Sequence, residues 1–454
     1  MRFADKYKVY YPQRFKGIYT SRGENDLVSV RIRQKEGRDP SKWTSKQLEA
    51  LCSISDTYGN GKIHFTTRGD IELYGIHEPD LTHVIDLLDK AELDPRDSCG
   101  ASVRNVMPCP SYLCPLARTD AVSVSKRISR RFRHNPQYEY PLLPKRVKIT
   151  VSACDKGCAT PGIMDVGIVA NKNGKFDVYV GGGVGDHAFQ SVKLFEGVSE
   201  NDLEKISIAV ADLLKAEKEK RGFKWVVNKY GLQKTKEILE NMMKDIKVED
   251  FHEETERIEA KRILRFQTRG GWLSSAEVRE IAKMSEDNFD FVVLFNKQVL
   301  DVPVKGQVNT TLNYQVIRPE EYGDLKGDVE SCIGNDFCPP AIVSTSTVAE
   351  GVSKVLKEEG SKLNVKISGC SHSCGRHQIG EIGLGASMRD GKPRLKIFIG
   401  GDNFRLGQEV GEVDADMYAE VIRRLSKVED MVKSQRTDQI ISLLEDIPSF
   451  TRID

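Results

Sequence analysis

The chain repeats one order of sequence elements twice, and this duplication constrains its fold more than any other feature. A capping-box pattern occurs at Thr44-x-x-Gln47 and again at Ser274-x-x-Glu277, each followed by apolar residues at helical spacing. Each copy then has a predicted strand, at 63–73 and at 291–302, a cysteine pair followed by Pro, a helix, a strand and a Cys-x3-Cys pair. Each copy closes on a strand that runs into glycines. Two copies of roughly 200 residues predict two halves related by a pseudo-two-fold axis, with a cofactor cleft between them.

Eight of the ten cysteines fall into two sets of four, one in each copy. The second quartet is Cys332-x5-Cys338 with Cys370-x3-Cys374, and the first quartet is Cys109-x4-Cys114 with Cys154-x3-Cys158. Four thiolates from two loops suit a cubane iron–sulfur cluster, because each iron binds one soft sulfur donor. The x5 gap is long for structural zinc, whose ligand pairs are usually about two to four residues apart, so spacing favours a cluster and leaves zinc as the alternative. Cys52 and Cys99 are expected to pack as small apolar side chains.

Composition and charge indicate an ordinary globular protein. Hydrophobic residues make up 39% and charged residues 30% of the 454 residues, which is long enough for two or three cores. The formal net charge of +1 gives no global field for nucleic acid or an anionic membrane. No apolar run approaches the roughly 18 to 20 residues of a membrane span, and residues 1–15 lack the apolar region of a signal peptide. We therefore expect a cytoplasmic protein without membrane insertion, whose thiols bind metal rather than form disulfides.

The segments around the second quartet read ESCIGNDFCPPA and VKISGCSHSCGRHQIGEIGLG. They resemble the cluster segments of the siroheme-dependent sulfite and nitrite reductases. The resemblance covers most of the chain, including TTRGDIEL at 66–73, VRNV at 103–106, LPKRVKITV at 143–151 and RGFKWVVNKYG at 221–231. It implies an α+β fold of two pseudo-two-fold related halves, each a ferredoxin-like half-domain followed by a siroheme/4Fe-4S-binding α/β domain. The expected ranges are ferredoxin-like half-domains at 1–85 and 262–325, siroheme/cluster-type domains at 86–216 and 326–454, and a helical linker at 217–261.

The resemblance also implies the cofactors, siroheme and a 4Fe-4S cluster. By position, the second quartet matches the four cluster ligands, and Cys374 matches the thiolate that also reaches the siroheme iron. Siroheme is rich in carboxylates, and its pocket needs cations, for which the candidates are Arg31, Arg33, Arg269 and Arg376. The first quartet is a candidate second cluster, with a zinc site or a vestigial thiol site as the alternatives. A second siroheme is not expected, because Asn364 stands where a charge would be needed.

Cations of the first copy are the candidates for catalysis, since the family's substrate is a small oxyanion. They are Arg68, Arg104, Arg146 and Lys148. In the predicted strand 145–151, apolar residues alternate with Arg146, Lys148 and Thr150, which would place both cations on one face. A solvated charged face is the alternative, and the motif match favours the site. Cationic donors around an anion strengthen its binding and polarise the bonds that break.

The resemblance implies a reductase that takes electrons from an external donor, ferredoxin or a reductase subunit. Plant-like nitrite reductases tend to have Asn where this chain has Lys148, and a second cation suits the more highly charged sulfite ion. Sulfite reduction to sulfide is therefore expected, and nitrite reduction to ammonia is the enzymatic alternative. The alternative from another class is a non-catalytic iron–sulfur electron-transfer or siroheme-binding subunit. The four cations distinguish these, because a pure electron carrier has no use for them.

Overall fold

The structure, a computed structural model, describes residues 17–20, 27–251, 253–323 and 327–453. Residues 1–15 lie outside the described residues, and with them the segment whose lack of an apolar region predicts no signal peptide. In the described part of the chain the strands form four sheets, two in each copy, with helices packed against them. The mixed architecture of helix and sheet is the α+β class expected. None of the described helices is long and apolar enough to span a membrane.

The first part of the first copy consists of a sheet and the capped helix that packs with it. Its elements are β1 Ile18–Thr20, β2 Leu27–Gln34, β3 Lys42–Trp43, α1 Ser45–Tyr58, β4 Lys62–Phe65, β5 Ile71–His77, α2 Leu81–Lys90 and β6 Leu93–Asp94. Strands β1, β2, β5 and β4 are antiparallel neighbours in that order, and β6 pairs with β2. Thr44 caps α1 by accepting the N–H of Gln47 at 3.2 Å, while the Gln47 side chain accepts the N–H of Thr44 at 3.1 Å. The predicted capping box is confirmed.

The predicted single strand at 63–73 is wrong, because this segment is a hairpin of β4 and β5. The polar residues between the strands form a tight turn. The N–H of Thr66 donates to the Asp70 carbonyl oxygen at 2.8 Å, and the N–H of Gly69, which has φ +71°, donates to the Thr66 carbonyl oxygen at 3.2 Å. The predicted strand at 291–302 is likewise divided into two strands. The hairpin places Arg68 at a turn rather than along a strand.

The second sheet follows, and then the helices that lead to the second copy. The elements are β7 Met107–Pro108, α3 Ala121–Phe132, β8 Ile149–Ser152, β9 Val166–Ala170, β10 Phe176–Val180, β11 Val192–Val198, α4 Glu200–Glu217, α5 Phe223–Tyr230 and α6 Leu232–Met243. Strands β7, β8 and β9 are parallel, and β10 and β11 extend the sheet in antiparallel fashion. The strand β10 runs into Gly181, which has φ +77°, as the sequence predicts.

The second copy has the same plan. Its first part contains β12 Arg262–Gln267, β13 Trp272–Ser274, α7 Ser275–Glu286, β14 Val292–Leu294, β15 Val299–Val304 and β16 Gln315–Ile317. Its second part contains β17 Val329–Ser331, α8 Gly334–Phe337, α9 Thr345–Glu359, β18 Val365–Ser368, β19 Ile382–Arg389, β20 Lys392–Ile399, β21 Gln408–Asp414, α10 Tyr418–Ser426, α11 Glu429–Lys433, α12 Thr437–Leu444 and β22 Thr451–Arg452. The capping box of α7 at Ser274 and Glu277 is confirmed.

The two copies exchange strands between their first sheets. Strand β13 of the second copy pairs with β4 of the first, and β3 of the first copy pairs with β14 of the second. Helices α1 and α7 pack on each other, and their apolar faces enter one common core that includes Leu48, Leu51, Val278 and Ile281. Because each half completes the sheet of the other, the two copies are fixed relative to each other. This packing allows a site to draw residues from both.

Candidate active site

The second quartet lies in two loops that follow neighbouring parallel strands. Cys332 follows β17, and Cys338 follows the short helix α8, whereas Cys370 and Cys374 come after β18. Because β17 and β18 are adjacent and parallel, their carboxyl ends bring the two loops to one edge of the sheet. The N–H of Gly369 donates to Cys332 Sγ at 3.2 Å and joins the two loops.

The thiols of the second quartet are near enough to act on one another. Burial, followed by the charge of Cys374, raises the pKa of Cys332 to about 12, and Cys338 contributes in the same direction. Burial and Cys374 also raise the pKa of Cys370. Among the described residues, no three His, Cys, Asp or Glu side chains converge where a single metal ion would sit. A cubane places each thiolate on a different iron, so its ligands stand further apart than those of one ion.

Cys374 is the exposed member of the second quartet, and it contacts the hairpin turn of the first copy. Thr67 Oγ1 donates to the Cys374 carbonyl oxygen at 3.0 Å. The adjacent Arg68 lies close enough to Cys374 to interact with the thiol electrostatically. The first copy therefore places an arginine beside the most accessible sulfur of the second.

A group of cations converges on this side of the second quartet. Its members, which we call the cation cluster, are Arg31, Arg68, Arg104, Arg146, Lys148 and Lys224. Burial and the charge of Arg31 lower the pKa of Arg68 to about 10. Burial lowers the pKa of Lys148 to about 8, with Asp165 opposing the shift and Arg146 and Arg68 adding to it. Like charges held close together repel one another, and a bound anion would relieve that repulsion.

Arg104 has buried N–H donors that could bind a further hydrogen-bond acceptor. Burial, with repulsion from Arg68 and Arg31, lowers its pKa well below the ordinary value, although Cys99 opposes this shift. Its Nη2 donates to the Gly100 carbonyl oxygen at 2.7 Å. Its Nε and Nη1 are buried without a hydrogen-bond partner in the described part of the chain. Buried donors that lack partners cost about 1–3 kcal/mol each, so an anion that accepts from them would be stabilised.

Arg146 and Lys148 lie just before β8, on the segment whose alternation the sequence predicts. The regular strand starts at Ile149, later than predicted, but Val147 already pairs with Val103. Val147 and Ile149 are fully buried, Arg146 is exposed and Lys148 is half-buried, which confirms the alternation over these four residues, whereas Thr150, predicted on the face of the cations, is buried. The N–H of Lys148 donates to Asp165 Oδ2 at 2.8 Å, so this carboxylate holds the Lys148 backbone.

Two family models match this chain. The nitrite/sulfite reductase ferredoxin-like half domain matches residues 19–91, and the nitrite and sulphite reductase 4Fe-4S domain matches residues 99–247. The chain belongs to the nitrite and sulfite reductase family. Within this family, the sulfite reductase (NADPH) hemoprotein beta-component of Bacillus subtilis is 23% identical over 440 residues, covering 82% of this chain and 77% of the relative. The assimilatory ferredoxin-dependent nitrite reductase of Haloferax mediterranei is 22% identical over 469 residues, covering 86% and 76%.

The fold is shared with a solved structure. The Mycobacterium tuberculosis NirA protein matches with a TM-score of 0.76 at 18% identity, over 91% of this chain and 86% of that one. The similarity of fold therefore extends over both copies.

The cofactors of the family are siroheme and a 4Fe-4S cluster. The residues of the site fit both groups. The second quartet supplies four thiols, and the side where Cys374 is exposed carries the unpartnered donors of Arg104 and the surplus positive charge of the cation cluster. A carboxylate-rich tetrapyrrole and a small oxyanion are both anions that such a surface binds.

The four arginines expected to bind siroheme have different surroundings. Arg31 belongs to the cation cluster and also pairs with Glu72 at 2.6 Å. Arg33 is buried and pairs with Asp97 at 3.2 Å. Arg269, half exposed, pairs with Glu277 of the second capping box at 2.6 Å. Arg376, two residues after Cys374, is buried and bonded to Glu330, and its Nε and Nη1 have no hydrogen-bond partner within the described ranges.

Lys224 of α5 is a site residue that the sequence reasoning missed. Its Nζ donates to the Val184 carbonyl oxygen at 3.3 Å and to that of His187, so it holds the loop after β10. Burial lowers its pKa, Asp165 opposes the shift, and Arg146 adds to it. Its position within the RGFKWVVNKYG segment of the resemblance was the available signal. The sequence predicts only a connecting helix here, because nothing local shows what the helix packs against.

Proposed function

We propose that this protein reduces sulfite to sulfide with electrons from an external donor, ferredoxin or a reductase subunit. In this reaction sulfite takes up six electrons and seven protons to give hydrosulfide and three waters. The observation that supports it is the cation cluster beside the exposed Cys374, with lysine at position 148. We also place the reaction in the cytoplasm, since eight thiols in two quartets require reducing surroundings.

Three arginines of the cation cluster are proposed to bind the oxyanion. Arg68 approaches from the hairpin turn of the first copy, Arg104 offers its unpartnered Nε and Nη1, and Arg146 lies on the same face as Lys148. Guanidinium groups present paired N–H donors that match an oxyanion, and they stay charged at neutral pH. They would hold the anion and draw electron density toward the oxygens that leave.

Lys148 is proposed to deliver protons to the departing oxygens. With a pKa of about 8, its ammonium can lose a proton and regain it near neutral pH. Asp165, which accepts the Lys148 N–H at 2.8 Å and acts on its charge, would favour the return of the ammonium form. A proton donor with the ordinary pKa of lysine would release its proton less readily.

The second quartet is proposed to hold the 4Fe-4S cluster and Cys374 to reach the siroheme iron. When bound, the siroheme would supply the iron that takes the anion and the electrons that reduce it. The chain orients this region through Thr67, which donates to the Cys374 carbonyl oxygen, and through Lys224, which anchors the loop after β10. The Thr67 contact joins the two copies, and the Lys224 contact joins α5 to the loop after β10. Both contacts would therefore fix the walls of the pocket.

Nitrite is the second candidate substrate. Relatives that align over most of this chain include a nitrite reductase, and the cation cluster would accept any small oxyanion. The higher charge of sulfite and the ammonium of Lys148 favour sulfite over nitrite. Competition between the two anions for the same purified enzyme measures this preference directly.

The test of the catalytic role is the substitution Arg104→Ala. We expect the variant to retain siroheme absorbance and cluster iron but to reduce sulfite at least about tenfold more slowly, because a charged donor to an anion contributes about 1.5–3 kcal/mol. Arg423→Ala, which removes an exposed arginine paired with Glu358, is the matched control. Sulfite turnover at the wild-type rate in Arg104→Ala would contradict the assignment. Absence of turnover in the wild type, with both cofactors bound, would favour the non-catalytic subunit.

A further inference from the structure

The first quartet is built on the same local scaffold as the second. The N–H of Ala153 donates to Cys109 Sγ at 3.1 Å, as the N–H of Gly369 does to Cys332 Sγ at 3.2 Å. In each copy the strand that precedes the Cys-x3-Cys loop is parallel to the strand that precedes the first cysteine pair. The two sulfur contacts occupy equivalent positions, because each donor directly precedes the first cysteine of its Cys-x3-Cys pair.

The loop conformation after the last cysteine is also shared. The N–H of Ala159 donates to Ser152 Oγ at 3.2 Å, and the N–H of Gly375 donates to Ser368 Oγ at 3.1 Å. One residue further on, Thr160 and Arg376 have the left-handed φ values of +59° and +61°. A non-glycine residue in this region costs free energy, so its presence at both positions indicates that the loops are held in one required shape.

All four thiols of the first quartet lie together. The thiols of Cys114, Cys154 and Cys158 each act electrostatically on Cys109. Three of the four are buried, Cys114 is half-buried, and none of the four is in a disulfide. Residues 322 and 323 of the second copy cover the set, with Cys114 Sγ 3.2 Å from the carbonyl oxygen of Tyr322. The match to the 4Fe-4S domain, residues 99–247, contains the whole first quartet.

The surroundings of the first quartet differ from those of the second in charge. Glu330 lies in the second copy where the first copy has Met107, and its carboxylate is bonded to Lys366 and Arg376. Glu330 thereby offsets part of the positive charge of that region. Asn364, whose Nδ2 donates to the Gly327 carbonyl oxygen, occupies the position equivalent to Lys148. The second copy therefore has no counterpart of Lys148, and a carboxylate stands among the cations that it does have.

A short chain of hydrogen bonds connects the two quartets. Asn296 Nδ2 donates to the carbonyl oxygen of Ala159, next to Cys158, at 3.3 Å. The carbonyl oxygen of Asn296 accepts from Nη2 of Arg376, which follows Cys374 by two residues. Asn296 is buried, so no solvent interrupts this connection. It joins the last cysteine of one quartet to the last cysteine of the other.

We propose that the first quartet holds a second 4Fe-4S cluster without a siroheme, and that this cluster passes electrons to the cluster of the second quartet along the chain through Asn296 and Arg376. Each transfer moves one electron from a reduced first cluster to an oxidised second cluster, and no bond of the protein forms or breaks. The external donor of the proposed function restores the first cluster. The electron's destination rests on the proposed function, whereas the presence of the second cluster does not.

The charges around each quartet set the direction of electron transfer between the two clusters. The second quartet has Arg68 beside Cys374, and nearby positive charge stabilises a reduced cluster. The first quartet is more buried, and the charged groups that act on Cys109 are the other thiols of the set. We therefore expect the first cluster to have the more negative potential, which favours electron flow toward the second.

The deciding experiment counts iron and acid-labile sulfide in the anaerobically purified full chain. Two clusters give about eight cluster irons and eight sulfides, apart from the siroheme iron, whereas one cluster gives about four of each. The double variant Cys154→Ala with Cys158→Ala should lose about half of both and keep the siroheme absorbance; Cys52→Ala, in α1, is the control. A wild-type count near four, or zinc in place of the missing iron, would overturn the second cluster whether or not the variant folds. Loss of siroheme with a count near eight would instead contradict the proposed function and leave this inference standing.

The connection and its direction have their own test. Redox titration followed by electron paramagnetic resonance should show two cluster signals, and the signal lost in the double variant should be the one with the more negative potential. In Asn296→Leu both signals should remain, but after rapid mixing with reductant the first-cluster signal should decay more slowly than in the wild type. Asn241→Leu, on the exposed surface of α6, is the control. Equal decay in Asn296→Leu and wild type would rule out the Asn296 connection, and a reversed order of potentials would rule out the direction.

Discussion

Replacing Lys148 by Asn should move the preference of the enzyme from sulfite toward nitrite. The ammonium of Lys148 lies in the cation cluster with Arg146, Arg68 and Lys224 around it, and Asp165 is the nearby carboxylate that acts on it. A hydrogen bond from a charged donor to an anion contributes about 1.5–3 kcal/mol. Since 1.4 kcal/mol corresponds to a factor of ten, kcat/KM for sulfite should fall by about 10- to 100-fold.

Nitrite carries one negative charge where sulfite carries two, so its attraction to the same ammonium is roughly half as large. Loss of Lys148 also removes its repulsion with Arg146, Arg68 and Lys224, which partly offsets the lost attraction. We therefore expect kcat/KM for nitrite to fall by about tenfold or less, and the ratio of the two substrates to shift by about 3- to 10-fold.

The assay is anaerobic turnover of each anion with reduced methyl viologen, on protein whose siroheme absorbance and cluster iron equal those of the wild type. Lys193→Asn makes the same chemical change at a lysine on β11 that pairs with Asp177 at 3.1 Å, and both activities should be unchanged. Equal losses for sulfite and nitrite would show that Lys148 acts without regard to substrate charge and would refute the electrostatic reasoning. Unchanged sulfite turnover would remove Lys148 from the site.

Three other predictions follow from the contacts. Because the pKa of Lys148 is lowered to about 8, its ammonium is present below that pH, and kcat/KM should fall as the pH rises through about 8. The profile is best measured with nitrite, which does not titrate in this range. Lys148→Arg should move the fall in kcat/KM to higher pH. Gly375→Ala should abolish cofactor binding, because an added Cβ would overlap the Ile367 carbonyl oxygen, while Gly306→Ala meets no atom within 4 Å and should keep full absorbance. Thr44→Ala should lower the free energy of unfolding by about 1 kcal/mol through loss of the α1 cap, measured by denaturant titration, whereas the exposed Ser53→Ala should change it little.

Several local features could be predicted from sequence because their causes are local. The two capping boxes depend on residues three positions apart, and the strands that run into Gly181 and Gly400 depend on glycines with positive φ. The alternation at 145–151 depends on the two-residue period of a strand. Each of these involves neighbours along the chain, so pattern and propensity were enough.

Other features depend on packing that no pattern shows. The segment 63–73 has apolar residues at both ends, a pattern that predicts one strand, but the turn from Thr66 to Asp70 makes it a hairpin. Lys224 resembles any basic residue of a surface helix until α5 is seen to cover the loop after β10. Glu330 pairs with Lys366 only because two parallel strands bring the two residues side by side.

The duplication and the spacing of the eight thiols are properties of the sequence itself, and they determined that each copy has a loop pair able to present four sulfurs. The tertiary structure decided which cations stand beside which sulfurs. Thr67 and Cys374 are 307 residues apart in the chain and in contact in space, because the two copies share strands and thereby present the turn of one to the loop of the other. Electrostatic interactions fall off with distance in space rather than along the sequence, so the difference in charge between the two quartets could emerge only from the fold.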